Sequence, residues 1–149
     1  MIEIFMVIGI LAVLYVMTGP KVAELRSRSS LRAARQELSS AFASARAAAL
    51  QKGKTATLRL GGDSAVVTVL SGLAGTSVTV FGPIKFNREL NSTLSALSGA
   101  PMTVSFDARG LMTPVLDGVI NKYRLSNGIY ADTVCISAIG IIMPRTCQL

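Results

Sequence analysis

The sequence predicts an α+β protein in which one long amino-terminal helix packs on antiparallel β-sheets. Three observations predict it. Residues Ile4 to Met17 carry no charge and only Gly9 as a helix-weakening residue. Residues 21–52 contain neither proline nor glycine and set apolar side chains at a helical period. From Lys54 onward the chain changes to short β-like runs separated by turn residues. The divisions are therefore 1–20, a hydrophobic membrane or assembly segment; 21–53, an amphipathic helix; and 54–149, an antiparallel β domain.

The opening segment is the most informative. Ile4 to Gly19 gives 16 uncharged residues, slightly under the ~20 that span a bilayer core. A secretory signal would have a basic head and a small-residue cleavage site. Here the head carries Glu3, and the following TGPKVAELRSRSS has no A-x-A pattern. A buried core helix is a poorer fit, because so long an apolar run exceeds an amphipathic face. A membrane anchor fits best, with Lys21 and the arginines beyond it outside the apolar layer. An unpaired carboxylate inside such a layer costs on the order of 2.5–3 kcal/mol, so Glu3 is expected to have a use.

The order apolar, Glu3, apolar run, Gly19-Pro20, amphipathic helix resembles the amino terminus of type IV pilins and type II secretion pseudopilins. Mature chains of that family begin like F-T-L-I-E, and Met1-Ile2-Glu3 lines up with L-I-E. The resemblance implies an N-terminal methylation motif, with the leader and the first two mature residues lying upstream of Met1. It also implies that Glu3 neutralises the amine of a neighbouring subunit, and Pro20 falls where many of these proteins have a helix-loosening proline. A single-pass protein of the bacterial inner membrane follows, its carboxy-terminal domain periplasmic, its partners other pilin or pseudopilin subunits. On the residues alone, Glu3 is equally a helix-dipole carboxylate at the membrane interface.

The amphipathic helix shows its buried stripe directly. Leu31, Ala34, Leu38, Ala41/Phe42, Ala45 and Ala48/Ala49 recur with a period near 3.5. Pro20 removes one hydrogen bond and is expected to kink the helix without ending it. Lys52-Gly53-Lys54 supplies the stop, with glycine at the cap and lysines at the negative end of the dipole.

Charge is concentrated on this helix. Lys21 to Lys54 holds eight basic residues against Glu24 and Glu37, which is +6 of the net +7. Such a stretch suits anionic lipid, nucleic acid or acidic protein surfaces. Arg28, Arg32 and Arg35 share a face, and Arg46 lies about three turns further on. As a phosphate-tracking stripe it lacks interleaved aromatics to stack bases, so a solvated face or a contact with acidic neighbours is the plainer reading.

In the β domain, residues 55–60 and 65–70 flank Gly61-Gly62-Asp63-Ser64 and read as a hairpin. Further strands are expected over 77–81, 84–90, 102–106, 123–127, 133–139 and 141–147. The helix and first strand look like the GspH/FimT branch of minor pseudopilins and minor pilins. Residues 104–114, VSFDARGLMTP, resemble that branch's F-x-P-x-G turn, with Ala108 replacing the proline. The turn itself needs no function: Gly110 permits positive φ and Asp107 can cap it through its side chain. Cys135 and Cys147 lie symmetrically about Ile141, so a hairpin turning at Gly140 would bring them together as a disulfide.

Some FimT-like members bind DNA through G-R-x-R near the last hairpin. Gly140 matches, but Ile141 and Met143 stand where the arginines would be, leaving Arg145 nearby. Catalysis finds no footing: histidine is absent, Asp63, Glu89, Asp107, Asp117 and Asp132 never cluster, and no G-x-S-x-G occurs. No cofactor, metal or small-molecule substrate is expected. The sequence thus points to a minor pseudopilin or minor pilin assembling through its helix and acting at or near the filament tip. The alternatives are a major pilin of the same architecture and a DNA-binding minor pilin serving transformation.

Overall fold

The computed structural model describes residues 2–71, 76–115, 120–143 and 147. Helix α1 (Ile2–Lys52) is continuous for 51 residues, passing through Gly19 and Pro20 without ending. Its second half is the spine of the core. Ala34, Leu38, Ala41, Phe42, Ala45 and Ala49 have no exposed surface, and Leu31 and Ala48 very little. This is the stripe read from the sequence. Its many alanines let two sheets approach the helix closely, while Leu38 and Phe42 fill the space between them. Gly53, in the left-handed conformation, ends the helix, and the Lys54 amide donates back to the Ala49 carbonyl at 3.3 Å.

Strands β1 (Ala56–Leu60), β2 (Ser64–Ser71), β3 (Thr76–Lys85), β5 (Thr103–Phe106) and β6 (Met112–Thr113) form the larger sheet. Its order is β3-β2-β1-β5-β6. Strands β4 (Thr93–Leu97), β7 (Ile120–Ser126) and β8 (Ala131–Ser137) form the smaller one, in the order β4-β7-β8. All pairs are antiparallel. Helix α1 packs on both sheets. Period-two burial explains how: Ala56, Leu58 and Leu60 face inward from β1, and Tyr123 and Leu125 from β7. Phe42 meets Phe106 edge-on at 6.3 Å and Tyr123 at 6.1 Å, joining helix and both sheets through three rings. The buried Tyr123 hydroxyl donates to the Pro101 carbonyl at 2.7 Å, and burial pushes its phenol above the ordinary range.

Two expected elements differ. Residues 84–90 are not one strand: β3 ends at Lys85, and Phe86–Leu90 forms a short helix, α2. Phe86 is the buried residue of α2, with Leu90 packed half-buried against the core one turn on, a helical spacing rather than an alternation, and Asn91 closes the helix in the left-handed conformation. The last hairpin also turns earlier than the cysteine symmetry suggested. Ile136 pairs with Ile142, and the Met143 amide donates to the Cys135 carbonyl at 2.8 Å. Met143, not Cys147, therefore stands opposite Cys135.

Cys135 and Cys147 are nonetheless joined in a disulfide, with Cα atoms 5.6 Å apart. It ties the carboxy-terminal segment to the buried end of β8. Closing a loop between cysteines 12 residues apart restricts the unfolded chain, worth about 3 kcal/mol. Reduction is expected to lower the urea midpoint by an equivalent amount, checked by unfolding with and without reductant.

Candidate assembly site

The first half of α1 stands apart from the core. Ile4, Phe5, Met6, Val7, Ile8, Ile10 and Leu11 are each more than half exposed, Phe5 reaching 75%. Nothing in the folded domain covers them. Glu3 lies in the first turn of the helix and is exposed, beside the positive end of the dipole. Among the described residues no helix is long and apolar enough to cross a membrane.

The helix joins its domain at residues 24–35, and the β7–β8 hairpin makes the joint. The Asn127 side-chain amide donates to the Ser27 carbonyl at 2.8 Å and to the Ser27 hydroxyl at 2.7 Å. One turn nearer the amino terminus, the Tyr130 hydroxyl donates to Glu24 at 3.0 Å, with Arg28 over the tyrosine ring at 5.3 Å. Two turns beyond Asn127's contacts, Arg35 reaches Asp132 at 3.2 Å and donates to the Met143 carbonyl.

The predicted arginine stripe is consequently not a row of free cations. Arg28 pairs with Glu24 at 2.7 Å, and Arg35 with the half-buried Asp132. Arg32 is exposed and forms no ion pair among the described residues. Arg46 serves packing: its stem covers Gly110, where an added Cβ would lie 3.3 Å from the arginine Cγ. Arg145 lies outside the described residues. No aspartate, glutamate and cysteine groups suited to a metal occur among the described residues.

The turn at 107–110 has the conformation expected of it. Asp107 Oδ1 accepts from the amides of Arg109 at 2.9 Å and Leu111 at 2.8 Å, with Gly110 at φ +78°. Those bonds, the Leu111 amide foremost, hold the Asp107 carboxyl below its ordinary range. A carboxyl lowered by folding contributes stability that is fully present above its unfolded value, 3.8, and lost as pH falls through the folded value. Asp107→Asn is expected to flatten the acid limb of the stability curve, measured by urea midpoints between about pH 6 and about pH 3.

No family model matches the chain, and no curated protein is significantly similar to it. Solved structures are similar. One crystal structure of the type IV minor pilin FimU from Pseudomonas aeruginosa aligns over 81% of this chain and 97% of its own, with TM-score 0.57 and 21% identity. A second crystal form of FimU aligns over 78% of this chain and 99% of its own, with TM-score 0.54 and 17% identity. The fold is pilin-like. A pilin-like fold sets one helix against antiparallel sheets, and here the β7–β8 hairpin fixes where the helix leaves them. Sequence reading found that helix and its buried stripe but missed Asn127, Tyr130 and Asp132, whose helix partners lie about 100 positions away.

Proposed function

We propose that the chain is a structural subunit, a minor pilin or minor pseudopilin, that is held in the bacterial inner membrane and enters a filament through α1. One observation carries the reading: among the described residues, seven large apolar side chains, each more than half exposed, are gathered between Ile4 and Leu11 on the first half of α1, outside the packed core. Leaving them in water forgoes roughly 1.5–3 kcal/mol each, so the segment needs lipid tails before assembly and neighbouring helices afterwards. The likeness to FimU supports the same reading.

In this proposal Glu3 meets the amine of an adjacent subunit, a carboxylate–ammonium pair tolerated in low dielectric where a lone charge is not. Pro20 supplies a bend between the anchored half and the domain. The β domain sits on the periplasmic side and ends at or near the filament tip. Nucleic-acid contact is the weaker reading, since Arg28 and Arg35 already have carboxylate partners.

The test is fractionation of cells expressing the full-length gene product, followed by immunoblotting of sheared filaments. Expected is a carbonate-resistant inner-membrane pool and a small, substoichiometric amount in filaments, with antibody labelling at their ends. Absence from both fractions would overturn the proposal, and abundance equal to the main subunit would make it a major pilin.

A further inference from the structure

Where α1 leaves the domain, the surface has two characters at once. Val22 is 61% exposed, Leu25 66% and Ile129, at the tip of the β7–β8 hairpin, 74%. Arginines flank Val22 and Leu25, and Ile129 shares its groove with Arg26 and Glu89. A shallow groove of about 510 Å³ is lined by Val22, Leu25, Arg26, Arg28, Ser29 and Arg32. A second, of about 540 Å³, runs from Ala23 and Arg26 to Ile129. Arg26 borders both. Lys21, Arg26 and Arg32 are exposed and form no ion pair among the described residues, so their charge is available.

The height of this patch along the helix decides what can meet it. Asn127 is bound to Ser27 and Tyr130 to Glu24, which pins the hairpin tip beside residues 24–27. That level is roughly 8–12 Å beyond Gly19, where the uncharged run ends, at 1.5 Å per residue. The 16-residue run is about 24 Å long, roughly 6 Å shorter than the ~30 Å hydrocarbon core. With the run centred in a bilayer, the core therefore ends about 3 Å beyond Gly19, and a headgroup layer of roughly 5–8 Å reaches to about 8–11 Å, the level of the tip. Apolar side chains beside the exposed cations Lys21 and Arg26 suit a lipid headgroup region: aliphatic contact with the glycerol zone and positive charge for phosphate.

We infer that the domain docks on the membrane before assembly, Ile129 and Leu25 entering the headgroup layer and Lys21 and Arg26 binding anionic phospholipid. The partner is the lipid surface, and the site is separate from the helix-to-helix contact that builds a filament. The inference rests on the anchored-subunit reading above. Docking holds the domain down against the bilayer, and assembly must lift Ile129 out of it.

The chain contains no tryptophan, so a single substitution makes a site-specific reporter. Ile129→Trp and, separately, Ile8→Trp are introduced in the full chain and reconstituted in two kinds of vesicle. One is phosphatidylglycerol mixed with phosphatidylcholine, the other phosphatidylcholine alone, each with and without brominated lipid. Expected is quenching of the indole at position 8 in both. The indole at 129 is expected to be blue-shifted and quenched by lipid brominated near the headgroup when phosphatidylglycerol is present. Adding Lys21→Gln and Arg26→Gln should reduce the docked-to-lifted ratio by at least about fivefold, the weight of one surface cation. Arg59→Gln with Lys122→Gln, on outward faces of the two sheets, should not.

Quenching at position 8 with none at 129 overturns the docking and leaves the anchor standing. Equal quenching at 129 in both vesicle types, or indifference to the two Gln changes, overturns the role of charge and with it the inference. No quenching at position 8 overturns the anchored-subunit reading itself.

Discussion

Glu3→Ala is expected to leave the protein in the membrane and remove it from filaments. Truncating one partner of a buried charge pair costs about 3–5 kcal/mol, because the other charge stays buried alone. At ~1.4 kcal/mol per factor of ten, incorporation should fall by roughly two orders of magnitude or more. Glu3→Gln should behave like alanine, since it keeps the shape but not the charge, and Glu3→Asp should recover part of the loss. The measurement is the filament-to-membrane ratio of the subunit in sheared preparations. Wild-type incorporation of Glu3→Ala would refute the pairing, and loss of Glu3→Ala from the membrane would show a role in anchoring instead.

Phe42→Ala is expected to be the most damaging single change in the core. The ring is fully buried and touches Phe106 from the larger sheet and Tyr123 from the smaller. Its removal opens a cavity where helix and both sheets meet, at a cost of about 3–5 kcal/mol. That is a large share of the 5–15 kcal/mol typical of a domain. Val78→Ala on the exposed face of β3, with 46% of its surface free, should change stability by less than about 0.5 kcal/mol. Urea unfolding of the two variants under oxidising conditions checks both values.

How legible these features were follows from the range of the contacts. The helix stripe, the hairpin at 61–64 and the Asp107 turn are set within a few residues, and local pattern suffices for them. Residues 84–90 misled because Ile84-Lys85-Phe86 alternates like a strand while the turn that follows has no distinctive cap; the structure gives Lys85 no capping bond. Strand β4 carries Ser95 and Ala96 between its two leucines, too weak an alternation to stand out. The cysteine pairing was readable because the chain has only two cysteines on either side of one turn, whereas its register was not, because the turn is placed by Ser137 and Gly140 and not by symmetry. Gly140, matched in the sequence to a phosphate-binding motif, has a packing reason. It sits at φ +75°, and a Cβ there would come 2.8 Å from the Phe106 ring. The hairpin joint was beyond reach, since nothing near Tyr130 announces a partner at Glu24.

That joint has a mechanical meaning. Its three attachments, at Glu24, Ser27 and Arg35, are spaced along the helix axis on one hairpin. A pull along the axis, such as extraction of a helix from a bilayer, therefore loads them in shear, all together. A sideways pull would peel them one at a time. The joint accordingly resists axial tension better than transverse load.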